Sequence, residues 1–261
     1  MIYAVLNQKG GVGKTTTAVT FAHGLARHGQ PTLLVDLDSQ GNVCDALGLD
    51  KAPGLHALLV ARTSWRRLVI PSGRDLLDVL PGDKTTVDAK MYLTSQNFRE
   101  QALQRALYGV NSEYANVVFD LAPSVDVLHI AALVAADAFL VVTRLDHLAV
   151  VGVKDALVTL AALSDAGVSC PQFLGVLPTF WDITTNESDH QLAALAKTFG
   201  PKLWPPIPND VKAREAPAYH KTLWEYAPST RALVGVQING NPKRIGGYAQ
   251  ALDRLLQEVT A

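Results

Sequence analysis

Short apolar runs alternate with longer stretches of helical periodicity along the chain. Residues 2–6, 32–35, 76–80, 116–119, 138–142 and 173–177 are predominantly apolar and several are rich in β-branched side chains, with Asp78 the one charge inside them. Unbroken rather than alternating hydrophobicity predicts strands covered on both faces, as in a parallel sheet. Between them, residues 15–28, 95–108, 148–164 and 187–199 place apolar side chains at helical spacing. This alternation predicts an α/β fold with a doubly wound, mostly parallel sheet flanked by helices. No repeat or linker interrupts it, so residues 1–261 are expected to form a single domain. A proline-rich stretch, 201–217, separates the last clear strand–helix unit from the C-terminal part.

The last helical pattern carries Tyr248, Leu252, Leu255, Leu256 and Val259 on one side and Asp253, Arg254, Gln257 and Glu258 on the other. A membrane-surface helix would be rich in lysine or arginine on its polar side, so packing on the sheet is expected instead. The most apolar region, 127–142, is broken by Asp137 and falls short of the ~20 apolar residues that a membrane span needs. The N-terminus has no basic segment ahead of its first apolar run, so no secretory signal is read and a cytoplasmic protein is expected.

Composition adds two constraints. The 261 residues are 48% hydrophobic and 18% charged, which excludes a disordered chain. Lys+Arg 23 against Asp+Glu 24 gives a net charge of −1, which excludes a globally basic nucleic-acid binder but not a local basic face. The charge is uneven: residues 1–189 hold 14 basic and 19 acidic residues, net −5, and residues 190–261 hold 9 and 5, net +4. Cys44 and Cys170 lie too far apart for a CxxC site and read as free thiols. The tryptophans are scattered and the seven histidines form no spaced metal set.

The first strand runs into Asn7-Gln8-Lys9-Gly10-Gly11-Val12-Gly13-Lys14-Thr15-Thr16-Thr17, and a helix pattern follows at once. Strand, glycine turn and helix N-terminus are the context of a P-loop NTPase phosphate loop, in which successive N–H groups converge on phosphate oxygens. In that reading Lys14 reaches the β- and γ-phosphates and the Thr15 hydroxyl ligates Mg²⁺. The generic pattern has glycine where this chain has Gln8, and the loop carries a second lysine, Lys9. The second strand leads into Asp36-Leu37-Asp38-Ser39-Gln40-Gly41-Asn42; both carboxylates face one side at the ligand-binding edge of a parallel sheet, where Asp38 is also placed to cap the next helix. The fourth predicted strand ends in Asp120, followed by Leu121-Ala122-Pro123-Ser124, which matches a Walker B carboxylate serving Mg²⁺.

The stretch KGGVGKTT resembles the deviant Walker A motif of the ParA/MinD family of ATPases, and its chromosome- and plasmid-partitioning (ParA/Soj) branch most closely. The resemblance spans roughly residues 1–235. It implies that Lys9 is the signature lysine, reaching the partner's nucleotide in an ATP-bound homodimer, and that Gly10, Gly11, Val12, Gly13, Lys14, Thr15 and Thr16 hold the phosphates. It implies that Asp38 orients or deprotonates the attacking water and that Asp36 supports the metal with Thr15 and Asp120. The chain departs from the family pattern at Ser39 and Ala122, each where proline is common. By position, Pro208 and Asn209 are the adenine candidates. The arginine often found beside that proline is absent, which leaves Lys212, Arg214, Lys221 and Arg244 as DNA-binding candidates.

The implied function is an ATP-hydrolysing partition protein that binds DNA nonspecifically when ATP-bound, is stimulated by a ParB-type partner, associates with the nucleoid and has no membrane contact. Because the chain opens on its first strand, no operator-reading extension and no sequence-specific DNA recognition are expected. Alternatives are a MinD-like membrane cycler, another positioning or scaffold ATPase, and a nitrogenase-reductase-like electron carrier using Cys44 and Cys170.

Overall fold

The computed structural model describes every residue except 148, 166, 239–241 and 261, and only the backbone at 259 and 260. Seven strands form one sheet: β1 (Ile2–Leu6), β2 (Thr32–Asp36), β3 (Ile70–Arg74), β4 (Leu77–Leu80), β5 (Asn116–Asp120), β6 (Ala138–Arg144) and β7 (Gln172–Thr179). The order is β3-β4-β2-β5-β1-β6-β7, with every neighbouring pair parallel except the β3–β4 hairpin. The described helices are α1 (Lys14–Arg27), α2 (Asn42–Leu47), α3 (Gly54–Leu59), α4 (Thr86–Thr94), α5 (Ala102–Ala106), α6 (Val127–Ala135), α7 (Ala149–Asp165), α8 (Asn186–Phe199), α9 (Val211–Glu215), α10 (Leu223–Tyr226), α11 (Arg231–Val234) and α12 (Tyr248–Thr260).

Each central strand feeds two cores, because successive side chains point to opposite faces. From β1, Ile2, Ala4 and Leu6 enter one core with Leu33, Phe119 and Val141, covered by helices from α3 to α8. Tyr3 and Val5 enter the other with Leu34, Val118 and Leu140, covered by α1, α2 and the C-terminal helices. Burial on both faces is the physical reason these strands read as unbroken apolar runs.

Two expectations need correction. The 95–108 pattern is not one helix: Phe98 turns left-handed (φ 53°), a 3-10 turn follows at Arg99–Gln101, and only Ala102–Ala106 is α-helical. The terminal helix α12 packs on α1 rather than directly on the strands. Tyr248, Leu252 and Leu255 are buried, and the Tyr248 hydroxyl lies 2.9 Å from that of Thr17. Leu148 and the side chain of Val259, both included in the predicted helices, lie outside the described residues.

Candidate active site

The carboxyl ends of β1, β2 and β5 are adjacent in the sheet, and each of the three sequence motifs starts at one of them. After β1, the loop from Asn7 to Gly13 delivers the chain into α1. Gly11 (φ 71°) and Gly13 (φ 91°) adopt a conformation that a side chain would strain, which is why glycine stands there. The loop is pinned from β6 and β7. Buried Asn7 donates Nδ2 to Val142 O (2.7 Å) and accepts Lys9 N on Oδ1 (2.9 Å). Thr179 Oγ1 donates to Val12 O at 2.8 Å. A rigid loop with its amides pre-aimed binds an anion without having to order itself first.

Lys14 is 7% exposed, and its Nζ donates to Lys9 O at 3.1 Å. Burial lowers its pKa, while the charges of Asp120 and Asp38 oppose that shift. Lys14, Thr15 and Thr16 line a cleft of about 540 Å³ with Gly10, Gly11 and Asp38. Phosphate oxygens entering it would meet a buried cation and a helix N-terminus together.

In the β2–β5 register Asp36 stands directly opposite Asp120. Both are fully buried. Burial pushes Asp36 up to about 7, against the hydrogen bonds it accepts from Asp38 N (3.0 Å) and Val43 N (3.1 Å). Burial, then the neighbouring Asp36, raises Asp120 well above the usual carboxylate range, opposed by Thr15 and Lys14. The Thr15 hydroxyl is close enough to favour the charged form of Asp120, yet neither carboxylate oxygen has a partner in full hydrogen-bond geometry. Two unsupported carboxylate oxygens facing a threonine hydroxyl are hard ligands that fit Mg²⁺, which usually takes one or two protein oxygens and completes its shell with water and phosphate. No cluster of three potential metal-ligating His, Cys, Asp or Glu residues exists among the described residues, in keeping with such a sparse site.

The geometry separates the two aspartates of the second motif. Asp36 accepts the N–H of Val43 in the first turn of α2, so it serves that helix. Asp38 caps nothing: its Oδ1 accepts Gln40 N at 3.0 Å within the turn, and its half-buried side chain lines the cleft.

Lys9 points out of the loop that carries it. Its Nζ meets Asp146 Oδ2 at 2.6 Å, with 40% of the lysine side chain exposed. Sequence reasoning missed a second lysine at this cleft. Lys90, on α4, lines it and pairs with Asp126 at 2.7 Å, the residue that also N-caps α6 through Leu128 N and His129 N. The short pattern 86–94 is too weakly periodic to have revealed the helix that carries it.

Pro208 and Asn209 line a narrow slot with Gly13, Thr16, Phe180 and Arg214. Phe180 is held at φ 55° with the Arg144 guanidinium 4.8 Å from its ring. Asn209 N donates to Trp181 O (2.8 Å) and Trp181 N to Ile207 O (3.0 Å), which fixes the two walls together. Asp210 is structural: it N-caps α9 through Lys212 N (2.9 Å) and accepts the Thr230 hydroxyl. The four basic candidates stand in different local settings. Lys212 pairs with Glu215 at 2.9 Å; Lys221 lines a neighbouring hollow with Thr15 and Asn42; exposed Arg244 donates to Gly235 O at 3.1 Å. Cys44 is buried and burial pushes its thiol up to about 12, which disfavours it as a cluster ligand.

A parallel sheet whose strand ends carry a glycine phosphate loop, a buried lysine and two buried aspartates defines a P-loop ATPase. A family model described as an AAA domain matches residues 1–169. The chromosome-partitioning ATPase Soj of Thermus thermophilus is 37% identical over 87% of this chain and 88% of its own. The sporulation initiation inhibitor protein Soj of Bacillus subtilis is 33% identical over 88% and 92%. A crystal structure of cobyrinic acid a,c-diamide synthase from Mycobacterium smegmatis, with bound ADP and magnesium, superposes with a TM-score of 0.75 at 34% identity, covering 84% of this chain and 90% of that one. The chain belongs to the ParA/Soj family of ATPases and works with ATP and Mg²⁺.

Proposed function

We propose that this ATPase is a DNA-partitioning protein whose two protomers close around ATP and Mg²⁺, bind DNA nonspecifically in that state, and let go after hydrolysis stimulated by a ParB-type partner. The observation that carries the reading is the direction of Lys9. A lysine that begins a phosphate loop yet reaches away from it, to Asp146, is placed to serve a phosphate outside its own loop.

In this reading Lys14 and the loop amides from Gly10 to Thr16 hold the phosphates of the protomer's own ATP. Lys9 adds charge to the partner's nucleotide as negative charge develops on the transferring group. Thr15 and Asp120, with Asp36 in support, would hold the metal, which would supply positive charge to the phosphate oxygens. Asp38 orients the attacking water and takes its proton. Pro208 and Asn209 border the adenine. The net +4 of residues 190–261 gives the DNA-facing side, where Lys212, Arg214, Lys221 and Arg244 are the contacts. Dimerisation doubles that surface, so a near-neutral protomer gains DNA affinity only with ATP. The protein then resides in the cytoplasm on the nucleoid.

Among the described residues no helix is long and apolar enough to cross a membrane, and α12 spends its apolar side on α1. The deciding experiment is retention of nonspecific duplex DNA under ATP, ADP and no nucleotide. Retention with ATP alone supports the proposal, and retention under all three conditions or none overturns it.

A further inference from the structure

Among the described residues, Lys14 and Lys90 are the two cations that line the nucleotide cleft, and they enter it from different sides. Lys14 starts α1, behind β1, and Lys90 lies on α4, behind β4; β5 and β2 stand between those strands in the sheet. The chain leaving β4 is pressed onto the second motif: a Cβ on Gly82 would lie 2.6 Å from Asp36 O and 3.0 Å from Asp38 O. Thr86, Ala89 and Leu93 then bury one side of α4. Lys90 is left at the cleft with 18% of its side chain exposed.

The lysine rests on Asp126, at 2.7 Å from Oδ2, but Asp126 does not depend on it. Oδ1 accepts Leu128 N and His129 N at 3.0 Å each, capping α6, and Oδ2 also accepts the Ser124 hydroxyl at 2.8 Å. A partly exposed ion pair of this kind is weak, so a stronger anion in the cleft can take the lysine over. The sheet order gives such an anion a direction. The slot of Pro208 and Phe180 lies beyond the end of β7, the phosphate loop follows β1, and Asp38 and Ser124 follow β2 and β5. With the base in that slot and the middle of the phosphate chain in the loop, the terminal phosphate extends toward Asp38, the side from which Lys90 enters. A diphosphate stops short of it.

We propose that Lys90 is a second phosphate-binding cation, which leaves Asp126 for the terminal phosphate of ATP and makes the cleft favour the triphosphate over the diphosphate. The inference rests on the nucleotide site described above. The test is the affinity of dilute full-length protein for AMPPNP and for ADP, each with Mg²⁺, by competition with a fluorescent nucleotide. Lys90→Met, which keeps the stem and removes the charge, should weaken AMPPNP by about tenfold and ADP by less than about twofold; Lys90→Arg should restore the preference. Asp126→Asn keeps a helix-capping group without the charge, so it should free the lysine and leave AMPPNP affinity equal or higher.

Equal losses for both nucleotides in Lys90→Met, or no loss for either, would overturn the proposal. So would a loss of AMPPNP affinity in Asp126→Asn as large as that in Lys90→Met, because the pair would then be a clamp between α4 and α6. Lys14→Ala in the same titration separates the two readings. If it binds both nucleotides as the wild type does, the phosphate site is misplaced and Lys90 falls with it. If it loses both while Lys90→Met shows no preference, the role of Lys90 alone is wrong.

Discussion

Lys9 Nζ and Asp146 Oδ2 sit 2.6 Å apart across 137 residues of sequence, so the protomer holds its outward-reaching lysine in place with a carboxylate of its own. Both side chains are partly exposed, and a pair of this kind is worth about 1 kcal/mol or less. In the proposed dimer a phosphate of the partner's nucleotide, carrying more charge than one carboxylate, would outcompete Asp146 for the lysine. The pair would then be a restraint that closure has to break. Asp146→Asn should tighten ATP-dependent self-association by about two- to fivefold, measured by sedimentation. Weaker association in the variant would show that Asp146 acts within the dimer instead.

Lys14 contributes differently, because it is buried and already close to its work. Lys14→Ala removes the buried cation of the phosphate loop, whose charge favours the ionised form of Asp120. Nucleotide affinity should fall by about a hundredfold or more, read by titration with a fluorescent ATP analogue. Unchanged affinity would remove Lys14 from the phosphate site.

Asp38 supports no helix and lines the cleft, so its loss should spare both the fold and ATP binding. Asp38→Ala should lower ATP turnover by about a hundredfold or more while the protein still binds ATP and accumulates as the ATP-bound dimer. Gel filtration with ATP and a phosphate-release assay separate the two effects. Asp36→Ala should behave otherwise, because Asp36 accepts two backbone N–H groups and the first turn of α2 goes with it. A wild-type rate in Asp38→Ala would reassign the water-orienting role.

These contrasts mark how far the chemistry could be read before folding. The phosphate loop was legible because its demands are local: glycine where φ is positive, then lysine and threonine at a helix start. Asp36 and Asp120 were legible because each ends an apolar run, and parallel strands bring their carboxyl ends together. The strand β3 was not, since Pro71 and Gly73 break its pattern; an edge strand tolerates both because it pairs on one side only. The helix α6 was hidden too, its apolar residues merging with those of β6 into one run broken by His129 and Asp137. Lys90 and Asp146 reach the loop through tertiary packing, with no local signal to announce them. Nor does sequence order reveal that Asp36, rather than Asp38, serves the start of α2.

The helix that begins in the phosphate loop carries a pH-sensitive contact at its middle. His23 is buried, with Nδ1 2.7 Å from the Thr222 hydroxyl at the start of α10, one residue beyond the DNA candidate Lys221. Burial is the main cause that brings its pKa down from 6.5 to about 4; Arg27 and Arg74 add to the fall and Glu225 opposes it. The folded state therefore keeps His23 neutral, while the unfolded chain takes up a proton below about pH 6.5. Between those two values the unfolded state binds more protons, so this histidine's contribution to stability is complete above pH 7 and declines as the pH falls toward 4. The buried aspartates titrate in the opposite sense, since folding raises their pKa, and they mask the trend in the wild type alone. A comparison with His23→Gln, which keeps a hydrogen-bonding group but cannot titrate, cancels them. The stability advantage of the wild type over His23→Gln, from urea unfolding, should shrink by up to about 3 kcal/mol between pH 7 and pH 4. A difference that stays constant across that range would mean that His23 is protonated as readily in the fold as in the unfolded chain.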